Sequence, residues 1–176
     1  GWAWASAAPR QPTGDGFLPD VPGLTTAEML EQATQGKFHG LYVVESGSEG
    51  VLESLDEEAR GKVKEALSRL ELLCVQGTHL TELARMAHVV LPVGSPLESA
   101  GTYTNLRGRV QRALPALPLP GEARHATQVL AAVAAALGGN LGSGDPAAVM
   151  REIAQVVSTY RGLTYEAVGP LGRPRG

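Results

Sequence analysis

Three short apolar runs, each preceded by a helix-like pattern, most constrain the fold of this chain. The runs are HGLYVVES at 39–46, LELLCVQ at 70–76 and HVVLPV at 88–93. Each is too apolar for a strand with one solvated face and is typical of a buried parallel strand. The order helix, strand, helix, strand, helix, strand predicts an α/β fold: a Rossmann-like layer whose short parallel sheet is flanked by helices, followed by a helical C-terminal extension.

Cap-type residues indicate where the helices begin. Thr25, with a glutamate three positions later, has the capping-box pattern, and Ser54 is followed by a glutamate at the same spacing. Thr78 stands where the third helix is expected to start. Asp145 followed by a proline is a typical start for a later helix. The last two helices are predicted at about 123–137 and 146–160.

Composition and proline content divide the chain into four predicted parts. The first 24 residues are rich in Gly, Pro, Ala and Ser without a sustained period, and LPALPLPG at 114–121 carries three prolines, as an extended connector does. The tail GPLGRPRG shows no fold signal. The predicted parts are an irregular lead-in at 1–24, a Rossmann-like α/β domain at 25–113, a proline-rich connector at 114–122 and a helical extension at 123–176 that packs on the same domain.

Charge and cysteine content exclude several classes of function. The formal net charge is −3, so the chain as a whole lacks the excess of positive charge that is typical of nucleic-acid-binding proteins. No apolar run approaches the length of a membrane-spanning helix, and no signal-peptide pattern is present. Because the chain starts at Gly1, we expect an excised or processed piece. Cys74 is the single cysteine, which excludes an intrachain disulfide and a cysteine-ligated iron–sulfur cluster built from this chain alone. No histidine has metal-ligand spacing, and neither a metal site nor a catalytic residue is predicted.

Small polar residues follow each predicted strand. In a parallel layer, ligands bind outside the carboxyl ends of the strands. Here those ends are 45–50, 76–78 and 94–96, the last leading into GTYTNLRGRVQRA at 101–113. The first loop lacks the G-x-G-x-x-G fingerprint, and Glu49 would repel a phosphate placed there. A nucleotide site and an ordinary loop edge both remain open on these residues.

The segment 101–113 combines glycines, an asparagine and arginines. Arg107 and Arg109 alternate as strand residues do, so both are expected to face the same way, and they can bind an anion or pair with carboxylates of a neighbouring subunit. Gly101 and Gly108 would allow backbone turns. Asn105 would hydrogen-bond its own loop.

The block LCVQGTHLTELARMAHVVLPVGSPLESAGTYTNLRGRVQRA resembles the molybdopterin oxidoreductase family. The family pattern pairs a strand ending in V-Q, a helix with T-E-x-A, a strand A-x-V-V-L-P, and E-x-x-G-T-x-x-N-x-x-G-R-x-Q. PLPGEARHATQVLAAVAAALG and MREIAQVVSTYRGLTYEAVGPLG resemble later family segments. The last motif is matched in register by Glu98, Gly101, Thr102, Asn105, Gly108, Arg109 and Gln111.

Within that family the sequence looks most like the large iron–sulfur subunit of bacterial NADH-quinone oxidoreductase, respiratory complex I, in its molybdopterin-type region. The resemblance implies a non-catalytic structural domain that supports electron transfer from NADH to quinone. It implies no cofactor in this chain, with iron–sulfur clusters elsewhere in the subunit. The implied partners are other domains of the same subunit and other complex I subunits, without nucleic acid or direct membrane insertion. The implied location is a peripheral arm at the cytoplasmic face of the bacterial inner membrane.

The alternative hypothesis is a fragment of a molybdopterin-dependent oxidoreductase, formate dehydrogenase-like, that binds one nucleotide of molybdopterin guanine dinucleotide. A free-standing nucleotide-binding module is a third, less specific interpretation. Gly77 stands where cofactor-binding relatives often carry Asp, and Arg107 where many carry an acid, which removes acceptors for a guanine edge. The residues that the resemblance assigns to a nucleotide site, working or relic, are Ser46, Gln76, Thr78, Glu98, Thr102, Asn105 and Arg109.

Overall fold

The computed structural model describes residues 23–45 and 47–176, which fall into two compact units. Among the described residues, the amino-terminal unit comprises 23–45 and 47–92, and the carboxyl-terminal unit comprises 93–176. The predicted lead-in at 1–24 lies outside the described residues apart from Gly23 and Leu24.

The amino-terminal unit alternates helices and strands as predicted. Its elements are α1 (Thr26–Thr34), β1 (Gly40–Val44), α2 (Glu57–Ser68), β2 (Leu72–Gly77), α3 (Glu82–Met86) and β3 (Val89–Pro92). β2 lies between β1 and β3 and pairs in parallel with both. The predicted α/β layer, a short parallel sheet flanked by helices, is therefore confirmed.

The core of this unit lies between one face of the sheet and the helices. Leu73 and Val75 of β2 are buried together with Leu67 of α2 and Leu83 of α3. Because strand residues alternate between faces, Leu72 points the other way, and 42% of its surface is exposed. Burial of the Leu73 face against the helices thus fixes the register of β2.

The helix starts match the sequence patterns in part. Thr25 forms the predicted capping box with Glu28. Asp56, rather than Ser54, caps α2 by accepting a hydrogen bond from the backbone N–H of Ala59 at 2.8 Å. The predicted start at Ser54 is wrong because this side chain donates to the carbonyl of Val51 within the preceding turn.

The third helix begins later than the sequence predicted. Thr81 caps α3 and accepts from the N–H of Ala84, whereas Thr78 lies in the loop after β2. The start at Thr78 is therefore wrong. Both threonines are suitable caps by residue type, and a contact distant in sequence decides between them, since the hydroxyl of Thr81 donates to Glu45.

The carboxyl-terminal unit contains a sheet that the sequence analysis missed. Its elements are β4 (Gly101–Thr104), β5 (Arg109–Ala113), α4 (Ala126–Ala136), α5 (Pro146–Val156), a 3₁₀ turn (Ser158–Tyr160), α6 (Tyr165–Val168) and β6 (Arg173–Pro174). β4 and β5 form an antiparallel hairpin, and β6 pairs antiparallel with β5. The tail therefore does carry structure, and the Asp145 cap of α5, with Pro146 at its start, is confirmed.

The boundary between the units lies at Pro92–Val93, whereas the predicted α/β domain extended to residue 113. The hairpin belongs with the later residues because β5 pairs with β6 and Val110 of β5 is buried with Met150 and Leu163. The predicted connector at 114–122 contains neither helix nor strand.

The described helices are all too short or too polar to cross a bilayer.

The two adjacent leucines of β2 provide a test of the core. We expect Leu73→Ala to lower the free energy of unfolding by about 2–5 kcal/mol, because it leaves a cavity against the helices. Leu72→Ala, at the partly exposed first position of the same strand, serves as the matched control and should cost clearly less. Urea unfolding followed by circular dichroism measures both, and equal losses would contradict the placement of Leu73, but not Leu72, in the core.

Candidate functional site

A buried carboxylate closes the carboxyl end of β1. Glu45 follows this strand, and only 8% of its surface is exposed. Its Oε1 accepts a hydrogen bond from the backbone N–H of Val51 at 2.8 Å, and its Oε2 accepts one from the hydroxyl of Thr81 at 2.5 Å. Because a buried carboxylate needs such donors, Glu45 ties the loop after β1 to the start of α3.

Gly50 allows this loop to approach Glu45 closely. A Cβ atom at residue 50 would lie 2.7 Å from the Cβ of Thr81 and 2.9 Å from Oε1 of Glu45. Both distances are shorter than van der Waals contact. The site around Glu45 is thus filled by the protein's own atoms.

The start of α3 is already occupied by acceptors. Oε1 of Glu53 accepts from the N–H of Glu82 at 2.6 Å, and the Thr81 hydroxyl accepts from a second N–H of the helix. Lys64 pairs with Glu82 at 2.7 Å, and Arg60 lies 3.9 Å from the same carboxylate. The hydrogen bond from Lys64 holds the pKa of the Glu82 carboxyl below its usual value. A phosphate here would meet carboxylates, and both neighbouring cations are paired.

The predicted residues after β2 are held within the same unit. Gln76 is fully buried at the end of β2, and its Oε1 accepts from the hydroxyl of Tyr42 at 2.5 Å. The Tyr42 phenol is protonated at neutral pH and donates, and burial raises its pKa further. The hydroxyl of Thr78 lies 2.9 Å from Nδ1 of His79. Ser46 lies outside the described residues.

Cys74 and the acidic and histidine side chains offer no redox or metal site within the described chain. Burial raises the pKa of the Cys74 thiol, which is the opposite of what activates a cysteine nucleophile. No group of three or more His, Cys, Asp or Glu side chains among residues 23–45 and 47–176 is placed to hold a metal ion.

The first two predicted residues of the carboxyl-terminal unit bond to their own surroundings. Oε2 of Glu98 accepts from the N–H of Ser95 at 2.7 Å and closes the turn before the hairpin. The hydroxyl of Thr102 lies 3.6 Å from the sulfur of Met150, on the side of the hairpin that packs on α5.

Asn105 organises the turn between β4 and β5. Its Oδ1 accepts from the N–H groups of Arg107 and Arg109 at 2.9 and 3.0 Å, which confirms the hypothesis that Asn105 bonds its own loop. Gly108 has a φ of +72°, which favours glycine. Gly101 lies within β4 and has no positive φ, so its expected role as a turn residue is wrong.

Arg109 ties the hairpin to the chain that leads into β6. Its Nη1 donates to the carbonyls of Leu171 and Gly172 at 3.3 and 3.0 Å. Arg107 lies in the turn rather than on a strand, so the expected alternation of Arg107 and Arg109 on one strand is wrong. The guanidinium of Arg112 lies 5.3 Å from the centre of the Tyr165 ring.

The predicted site residues thus fall into two sets. Gln76 and Thr78 belong to the amino-terminal unit, and Glu98, Thr102, Asn105 and Arg109 belong to the carboxyl-terminal unit. That the two sets line one crevice stays a prediction. Sequence reasoning missed the contributions of Tyr42, Glu53 and Thr81, whose partners are distant in sequence and leave no local signal.

Comparison with known proteins points to one family. The sequence profile of the molybdopterin oxidoreductase family matches residues 6–136. The probable oxidoreductase YjgC of Bacillus subtilis (strain 168) is 34% identical over 149 residues, 85% of this chain and 15% of that protein. The putative formate dehydrogenase YrhE of the same strain is 33% identical over 147 residues, 84% of this chain and 14% of that protein.

A solved structure agrees at the level of the fold. Acetylene hydratase from Pelobacter acetylenicus superposes with a TM-score of 0.59 at 15% identity, over 82% of this chain and 20% of that chain. This chain therefore spans about a seventh of the length of the curated relatives it matches.

Asn105 allows a test of the turn. We expect Asn105→Ala to destabilise the protein by about 1–2 kcal/mol, because two turn N–H groups lose their acceptor. Asn105→Asp keeps the acceptor oxygen and should remain closer to wild type. Thermal unfolding of the three proteins compares them, and an alanine variant as stable as the aspartate variant would contradict this role.

Proposed function

Because the chain belongs to the molybdopterin oxidoreductase family, we propose that it is a structural part of a larger, formate dehydrogenase-like oxidoreductase. The observation that carries this proposal is the family match over residues 6–136, which includes the parallel sheet with its polar strand ends. A relative named as a putative formate dehydrogenase supports the substrate class. The proposed activity of the whole protein is oxidoreduction of a small substrate such as formate.

The family implies molybdopterin guanine dinucleotide, and the described residues of the amino-terminal unit do not fit the diphosphate of that group. Glu53 and Thr81 already accept the hydrogen bonds at the start of α3, where a phosphate would need free N–H donors. The nearby cations Lys64 and Arg60 pair with Glu82. The role we propose for this unit is therefore structural: it forms an α/β layer of the larger protein, and other parts of that protein hold the cofactor.

The polar residues of the carboxyl-terminal unit support the same structural role. Oδ1 of Asn105 and Nη1 of Arg109 each bond to two backbone groups of their own unit. Glu98 likewise closes a local turn. These bonds give the family motif a folding role that requires no ligand, which is what a structural domain needs.

The second candidate is the large subunit of NADH-quinone oxidoreductase. Two departures from the cofactor-binding pattern favour it, Gly77 and Arg107, since each stands in place of an acid. Under this candidate, the chain is a scaffold in a peripheral arm at the inner membrane, among other complex I subunits. The formate dehydrogenase-like name among the matched relatives favours the first candidate over this one.

Electron donors distinguish the two candidates. We expect the full-length protein that contains this chain to reduce a viologen dye with formate, and its preparation to contain molybdenum by mass spectrometry. If NADH but not formate reduces the dye, and the preparation contains no molybdenum, the complex I candidate is supported instead. Inactivity with both donors in protein that is shown to be folded would contradict both proposals.

A further inference from the structure

One face of the antiparallel sheet is packed within the carboxyl-terminal unit. Thr104 pairs with Val110 across the hairpin, and Val110 is completely buried. The hydroxyl of Thr104 lies 2.8 Å from that of Tyr160, and Thr102 contacts Met150. Because side chains alternate along a strand, these contacts assign the neighbouring positions to the opposite face.

The opposite face, which we call the outer face, consists of Tyr103, Arg109 and Gln111. Tyr103 pairs directly with Gln111, and Arg109 is two residues before Gln111 on the same strand. All three are exposed, Tyr103 to 53%. Two exposed leucines lie at the border of this face. Leu106 is in the turn, and the backbone carbonyl of Leu171 accepts a hydrogen bond from Arg109. The outer face thus combines an aromatic ring, a guanidinium and apolar groups.

The carboxyl-terminal unit that carries the outer face has an excess of positive charge. Residues 93–176 contain eight arginines, no lysine and five carboxylates, a formal net charge of +3 in a chain whose total is −3. Arg107, Arg109 and Arg173 are exposed, and no ion pair joins any of them to a carboxylate of the described chain. A surface of this kind attracts carboxylates from outside the chain.

We propose that the outer face docks an acidic protein surface that lies outside this chain. Tyrosine and arginine are enriched among the residues that contribute most to affinity at protein interfaces. The bonds of Arg109 within its unit use only Nη1, so Nε and Nη2 of its guanidinium remain to bind a carboxylate. Leu106 and Leu171 add apolar area around that contact. These exposed leucines favour a protein surface over nucleic acid, whose backbone offers phosphates rather than apolar area. The matched part of this chain covers only 15% of the relative YjgC, so most of that protein's surface lies elsewhere.

Site-specific photocrosslinking in the full-length protein tests this proposal. The photoreactive residue p-benzoylphenylalanine replaces Tyr103, an exposed aromatic, and Leu137, an exposed residue at the end of α4, serves as the control position. After irradiation in cells, mass spectrometry identifies the crosslinked peptides. We expect crosslinks at residue 103, several-fold above those at 137, to peptides outside this chain that contain Asp or Glu.

Charge variants of Arg107 test whether the crosslink depends on positive charge or only on the nearness of another surface. In the residue-103 background, Arg107→Glu should lower the crosslink yield several-fold, and Arg107→Lys should retain it. Melting temperatures establish that each variant folds, and Leu106 replaces Tyr103 as the labelled position if that variant does not fold. The proposal is overturned if the crosslink yield at residue 103 equals that at 137, or if Arg107→Glu leaves that yield unchanged. Crosslinks to lipid, to nucleic acid or to peptides without Asp or Glu overturn it as well.

Discussion

The buried carboxylate of Glu45 is the interaction on which the polar edge of the amino-terminal unit depends. Removing a carboxylate from water costs several kcal/mol unless hydrogen bonds replace the lost solvation. The N–H of Val51 and the hydroxyl of Thr81 supply those bonds, and Gly50 leaves the space for them. The path of the loop and the start of α3 are therefore set by one side chain, and the strand end that a ligand would approach is filled by protein atoms.

The carboxyl-terminal unit uses its polar residues in the same way. Asn105 shapes the turn of the hairpin, and Arg109 ties that hairpin to the segment that becomes β6. Residues that resemble a cofactor-site motif thus have bonds within the fold that account for their chemistry. Family membership and a structural role are compatible, because a family motif specifies residues and not the use to which each chain puts them.

Much of the fold could be predicted because its signals are local. The apolar runs gave all three parallel strands, and the caps Thr25 and Asp145 gave the starts of two helices. The hairpin was missed because its strands are short and polar on one face. The tail was missed because β6 has only two residues and forms only where β5 offers an edge.

The candidate site was less predictable, for a physical reason. A cap-type residue is recognised by its neighbours in sequence. Thr81 rather than Thr78 begins α3 because its hydroxyl bonds to Glu45, which lies 36 residues earlier in the chain. The use of Gln76 depends on the distant Tyr42 in the same manner. The residue types indicated where polar side chains lie. Only the contacts show that these side chains form hydrogen bonds with each other and with nearby backbone groups.

Hydrogen exchange at the backbone N–H groups of Val51 and Arg109 tests whether these polar residues serve folding, because Glu45 and Asn105 accept hydrogen bonds from them. Exchange followed by NMR, with and without millimolar GDP, separates a folding role from a ligand site. We expect both amides to be protected without nucleotide and their exchange rates to stay unchanged when GDP is added. Rapid exchange without nucleotide that becomes slow when GDP is added would contradict the folding role.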